Sequence, residues 1–242
     1  MMATALHPGP KNPSGLGFRR GGDTVSRNAM HIAILSFDGF NELDCFVPLG
    51  LLNRLKPLGW SAELCGPGSM VTSMNGVNVQ LQRSLEWANE ADAVWFGSGL
   101  YTRAIAENSA LLDRLQLDPT RQMFAAHGAG ALLVARLGLL GEVPACTDGS
   151  ARPWLVEAGV RVLNEPFHAR GPVATAGGGL ASQYLSAWLI WHKAGEQAAR
   201  EALGHAAPVG QKSEYVEAVM GIVRPFMPTA AGPAKHEASA PP

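Results

Sequence analysis

The stretch Met123-Phe124-Ala125-Ala126-His127-Gly128-Ala129-Gly130-Ala131-Leu132-Leu133-Val134-Ala135 leaves a chain few folds to choose from. An apolar run breaks at two closely spaced glycines and resumes with helix formers. It reads as a buried strand, a sharp turn and a helix. Such a turn lifts one residue out of a parallel sheet into a pocket, beside the N–H groups of the new helix. In a nucleophile elbow the lifted residue is Ser or Cys. Here the apex is Gly128, which has no side chain. The scaffold is that of an enzyme, and the attacking atom is missing.

The flanking sequence fits a parallel sheet. His31 to Phe37, Trp60 to Cys65, Ala91 to Phe96 and Val173 to Ala176 are short apolar runs, as expected of strands buried on both faces. Val160 to Leu163 also reads as a strand, and Val143 to Asp148 as a short extended segment. Asn75-Gly76 between Val71–Met74 and Val77–Gln80 signals a hairpin. Helices are predicted from the Asn41–Pro48 region to Leu55, over Arg103–Leu115, Gly130–Leu137, Pro153–Ala158 and Leu180–Trp191, and near 195–203 and 213–223. Strands alternating with helices give a doubly wound, mostly parallel α/β sheet with helices on both faces. One domain is expected over residues 30–228. Residues 1–29, rich in Gly, Pro, Arg and Ser, and residues 229–242, rich in Ala and Pro, are expected to be disordered. Met30 is expected to lie close to the true start.

Composition narrows the partners. A net charge of −1 argues against nucleic acid or an acidic membrane surface. No apolar run approaches the ~18 residues needed to span a bilayer. The 3 cysteines, Cys45, Cys65 and Cys146, have no metal-ligand spacing and suggest a reducing, cytoplasmic compartment. Gly128-Ala129-Gly130 is not a dinucleotide fingerprint, because Leu133 stands where a third small residue belongs. No Walker loop, His-Glu-x-x-His or Cys-x-x-Cys occurs, so neither cofactor nor metal is expected.

Ligands in doubly wound sheets bind outside the carboxyl ends of the strands. Asp38 to Asp44, Gly97-Ser98-Gly99, His127 to Gly130 and Gly177-Gly178-Gly179 should occupy such ends and line one pocket. Asp44, near helix N-termini and an apolar pocket, is the candidate general base on water, with a helix-capping role as the structural alternative. Asp148 is a second candidate acid, or a cap before Ala151-Arg152-Pro153. His127 is a candidate catalytic or structural histidine, and Cys146 a candidate rescue nucleophile or a buried filler.

Phe37-Asp38-Gly39-Phe40-Asn41-Glu42-Leu43-Asp44, Gly97-Ser98-Gly99, Gly128-Ala129-Gly130-Ala131-Leu132-Leu133, Gly138-Leu139-Leu140-Gly141 and Val173-Ala174-Thr175-Ala176-Gly177-Gly178 together resemble the DJ-1/PfpI superfamily, the class I glutamine amidotransferase-like fold. The resemblance covers Met30 to Met227, and Leu43-Asp44 is most similar to the isonitrile hydratase-like branch. In that family the elbow reads Cys-Ser/Thr-Gly, and its Cys is the nucleophile. The resemblance puts Gly128 at the Cys position, Ala129 at the hydroxyl position and Gly130 at the glycine. It makes Asp44 the acidic partner and puts Asp148 where many relatives carry His. It implies an oxyanion site from backbone N–H groups of Gly97-Ser98-Gly99 with Ala129 and Gly130, and a homodimer near the elbow.

Without sulfur at the bend the family's thiolate chemistry has no nucleophile. The favoured expectation is a non-covalent small-molecule binding or regulatory protein, a pseudoenzyme. The alternative is a small-molecule hydratase or lyase of the isonitrile hydratase-like kind, with Asp44 as base. A sensory domain of a transcription regulator would need a helix-turn-helix extension, and none is expected after Met227.

Overall fold

The computed structural model describes residues 29–228, and the disorder expected of the two ends lies outside those residues. Its strands and helices, in chain order, are β1 (Met30–Leu35), α1 (Glu42–Leu52), β2 (Trp60–Gly66), β3 (Met70–Thr72), β4 (Asn78–Gln80), β5 (Arg83–Ser84), β6 (Ala93–Phe96), α2 (Thr102–Glu107), α3 (Ser109–Leu112), β7 (Met123–His127), α4 (Gly130–Arg136), α5 (Arg152–Glu157), β8 (Phe167–Arg170), β9 (Val173–Ala176), α6 (Ser182–Ala194), α7 (Glu196–Ala206) and α8 (Lys212–Val223).

The main sheet runs β5-β2-β1-β6-β7-β9-β8, parallel throughout except for β8 against β9. This is the doubly wound α/β sheet expected. The chain adds strands to one side of β1, then crosses to β6 on the other, so the switch point lies between β1 and β6. Along β1, Ile32 and Ile34 enter one core with Trp95, Leu185, Trp188 and Met220. Ala33 and Leu35 enter the other with Phe96, Phe124, Leu132 and Leu155. Two buried faces explain the unbroken apolar runs. Each fully buried Leu, Ile or Phe contributes about 1.5–3 kcal/mol. An exposed pair such as Arg103–Glu107 contributes about 0.2–1 kcal/mol, so the two cores hold the fold.

Local departures from expectation have identifiable causes. The helix expected over Arg103–Leu115 breaks at Asn108, whose backbone leaves the helical region (φ −88°, ψ 87°) and whose side chain accepts from Leu111 N–H to cap α3. Val160–Leu163 forms no strand and makes one bridge, Val162 with Ala145. The edge strand is β8 instead, with its alternate residues Phe167 and Ala169 in the core. The β3–β4 hairpin forms a separate two-stranded sheet. It is latched to the start of α1: Ser73 Oγ and Asn75 Nδ2 donate to the two carboxylate oxygens of Glu42 (2.5 and 2.9 Å).

Candidate functional site

Asp44 falls in the first turn of α1, which Asn41 caps by accepting from Leu43 N–H. Its side chain points inward and is 2% exposed, as is that of His127 at the end of β7. Asp44 Oδ2 accepts from Ser98 N–H (2.9 Å) and from Ser98 Oγ (2.5 Å), and Asp44 Oδ1 lies 2.9 Å from His127 Nδ1. The opposite ring nitrogen, Nε2, is 2.6 Å from the carbonyl oxygen of Gly178. A carbonyl only accepts, so Nε2 carries a proton. Nδ1 faces a carboxylate oxygen and, at 2.9 Å, the hydroxyl of Ser182, which also donates to Leu43 O.

The ring is therefore framed as an imidazolium between a carboxylate and a carbonyl. Burial opposes charge on His127, but the hydrogen bond to Asp44 and the Asp44 charge outweigh it, holding the imidazole above its ordinary value. Burial likewise favours neutral Asp44, but hydrogen bonds from His127 and Ser98, with the His127 charge, hold it below its ordinary value. Asp44 and His127 thus form a buried ion pair beneath the elbow. A carboxylate so held is a poor proton acceptor.

The elbow itself has the expected shape. Gly128 sits at φ +55°, its N–H donating to Ala176 O at 2.8 Å. That backbone is easy for glycine and strained for other residues. A Cβ built on Gly128 would meet Asp148 Oδ2 at 2.8 Å and Ser98 Oγ at 3.4 Å. A carboxylate arriving from a different loop thus crowds the place where a nucleophile's Cβ would stand. Thr147 Oγ donates to Gly128 O (2.9 Å) and Cys146 N–H to Thr175 Oγ (2.9 Å), and these bonds tie that loop to the elbow. Asp148 also performs the capping role: its Oδ1 accepts from Ser150 Oγ and Ala151 N–H ahead of α5.

Restoring a thiol at the apex should therefore be costly. Gly128→Cys should lose about 1–3 kcal/mol from backbone strain, with an added cost from displacing Asp148. Thermal unfolding of Gly128→Cys with and without Asp148→Ala separates the two: the second substitution should recover the steric part alone.

Several sequence expectations need correction. Ser98 N–H is held by Asp44 and Gly99 N–H by Thr102 Oγ (2.8 Å), so this segment does not present those donors to a ligand. Gly97, Gly99 and Gly177 serve close packing: an added Cβ would press on Asp44 and Cys45, on the Gly39 carbonyl, and on the Thr147 carbonyl. Gly177 and Gly178 do not line the elbow cavity; Gly178 instead holds His127. Cys146 is fully buried, with burial pushing its thiol up to about 12, and Cys45 is pushed to about 12 likewise. Neither can serve as a rescue nucleophile near neutral pH. The side-chain roles of Ser98, Thr147 and Ser182 went unread, because isolated hydroxyls give no sequence signal.

A cavity of about 290 Å³ opens above the elbow, lined chiefly by Asn41, Met74, Ser98, Leu100, Asp148 and Trp154, with Ala129 at its floor. Three of the four expected segments supply it. A larger one, about 490 Å³, lies between the turn after α1 and α7, away from the carboxyl ends of the strands. Its charged residues Arg54, Glu201, His205 and Lys212 are all exposed, and no buried polar group converges on it. The elbow cavity is the better candidate because it lies at the carboxyl ends of the strands and is lined by the half-buried polar side chains of Asn41, Ser98 and Asp148. Among the described residues, no three His, Cys, Asp or Glu side chains gather to hold a metal ion. Among them, too, no helix is long and apolar enough to cross a membrane.

Solved structures with this architecture include ThiJ/PfpI and DJ-1 family proteins. A ThiJ/PfpI family protein from Pseudomonas syringae superposes with a TM-score of 0.68 over 91% of this chain and 97% of its own, at 17% identity. Schizosaccharomyces pombe DJ-1 gives 0.64 over 74% and 99%, at 16% identity. The chain has the DJ-1/PfpI fold. Drosophila melanogaster DJ-1beta agrees, at 0.63 over 74% and 97%, with 20% identity. No family model and no curated protein matches the sequence.

Proposed function

We propose that this chain is a DJ-1/PfpI superfamily member, nearest the isonitrile hydratase-like branch, that binds a small molecule without covalent chemistry. The observation carrying this reading is the apex: Gly128 offers no nucleophile, and Asp148 Oδ2 lies 2.8 Å from where a Cβ there would stand. The burial of all three thiols supports it. So does the ion pair at Asp44, which weakens the hydratase alternative by removing its general base. The absence of a disulfide among the three described cysteines is in keeping with a cytoplasmic location.

A turnover screen of isonitriles, amides and α-oxoaldehydes tests the reading. The wild type should be inactive on all three. Turnover that Asp44→Ala abolishes would replace this reading with the hydratase.

The same reading includes a homodimer. Leu43 (45% exposed) and Phe46 on α1, with Leu180 (66% exposed), form an open apolar patch; Gly179 beside Leu180 packs near Leu43. Sedimentation should give twice the monomer mass. A monomer at micromolar concentration would remove this part of the reading.

A further inference from the structure

We propose that the elbow cavity is a site for a small organic cation, a primary ammonium or amidinium carried on an apolar body. The inference rests on the non-covalent reading above and specifies its ligand class.

Charge accounting around the cavity leads there. Among the described residues, Asp148 is the only charged side chain that lines it. Behind the wall, Asp44 and His127 neutralise each other. Arg103 lies over the Trp154 ring (5.9 Å to its centroid) but is ion-paired to both Glu107 and Glu157. Among the described residues, no Lys, Arg or His side chain lies at ion-pair distance from Asp148. Among the described residues, the cavity wall therefore presents one carboxylate without an ion-pair partner and no cation, the His127 charge behind the wall acting on it only through space.

Geometry aims that carboxylate. Oδ1 is occupied by Ser150 Oγ (2.6 Å) and Ala151 N–H (2.8 Å), which fixes the plane of the group. Oδ2 is left at the apex, over Gly128. A side chain at residue 128 would fill this position, so glycine there keeps the carboxylate accessible. The surrounding wall mixes apolar Met74, Leu100 and Trp154 with the polar side chains of Asn41 and Ser98. A cationic head on Oδ2 with a short hydrocarbon or aromatic body against Trp154 and Met74 satisfies both. At about 290 Å³ the cavity is at the lower limit of ordinary ligand pockets, roughly 300–1,000 Å³, which restricts the body to about one ring.

Calorimetric titration of the full chain with phenethylamine and with 3-phenylpropionate tests the inference. The two probes share a ring and linker and differ in the sign of their charge. The amine should bind at least tenfold more tightly than the acid. Asp148→Asn should weaken the amine at least tenfold while keeping the cap, since Asn Oδ1 still accepts from Ala151 N–H. Equal or tighter binding of the acid, no amine binding at millimolar concentration, or an unchanged amine affinity in Asp148→Asn would each overturn it. Turnover in the screen described above would instead sink the non-covalent reading, and the amine-to-acid ratio would still be read separately.

Discussion

Replacing His127 by Phe should lower stability by about 3–5 kcal/mol, because it leaves the Asp44 carboxylate buried without its cation. For a domain of this size that is a fall in melting temperature of roughly 6–20 °C. The pH profile distinguishes this from a packing defect. In the wild type, Asp44 has an ordinary value of 3.8 and is held below it in the folded state. Its contribution is complete above the unfolded value and is lost as pH falls through the folded one. His127 has an ordinary value of 6.5 and is held above it. Its contribution is complete below 6.5 and is lost as pH rises through the raised value. The pair thus contributes most between about pH 4 and 6.5.

In His127→Phe the alkaline decline should vanish. Its acid limb should also change sign, since burial now favours protonated Asp44 and stability should recover as pH falls. A His127→Phe, Asp44→Asn double variant should regain much of the loss at neutral pH. Melting temperatures across pH 4 to 9 for the three proteins decide the matter. Parallel profiles for His127→Phe and wild type would show that no ion pair was broken.

The second large effect is expected at Gly130. α4 begins against the end of β6, and a Cβ on residue 130 would run into the carbonyls of Phe96 and Gly97. These are backbone atoms of the sheet and cannot rotate aside. Gly130→Ala should cost about 3 kcal/mol or more, at the upper end of overpacking effects, although alanine is the better helix former. Ala131→Gly, one residue further into the same helix, is the control. It should lose only about 1 kcal/mol, plus the burial of one methyl. If Gly130→Ala unfolds no earlier than that control, α4 does not lie so close to β6.

What was legible in the sequence was whatever depends on local pattern. The unbroken apolar runs gave the parallel strands, because both faces of β1 and β6 enter cores. Asn75-Gly76 located the hairpin, and the His127–Gly130 break located the elbow and its positive φ. What was not legible depends on contacts remote in sequence. Asp44 reads as a general base or a helix-capping acid until His127, across the switch point, is known to face it. Gly97 and Gly99 read as oxyanion donors and Gly177 as pocket lining, whereas Gly99 and Gly177 are needed for close passage of neighbouring backbone and Gly97 for the side chains of Asp44 and Cys45. β8 was missed because His168 and Arg170 interrupt its apolar pattern, and its core residues are only every second one. Val160–Leu163 reads as a strand, but a single bridge is all it finds.

The tie between Thr147 and Gly128 has an evolutionary consequence. A reactive group built into the bend of a sheet shares its position with the most constrained backbone in the molecule, so chemistry and foldability change together. Here the carboxylate proposed to bind the ligand, that of Asp148, hangs from a loop tethered to the elbow through Thr147. On that proposal, exchanging it would alter what the cleft recognises while the backbone of the bend stays glycine, so selection could retune recognition at one codon without re-solving the fold.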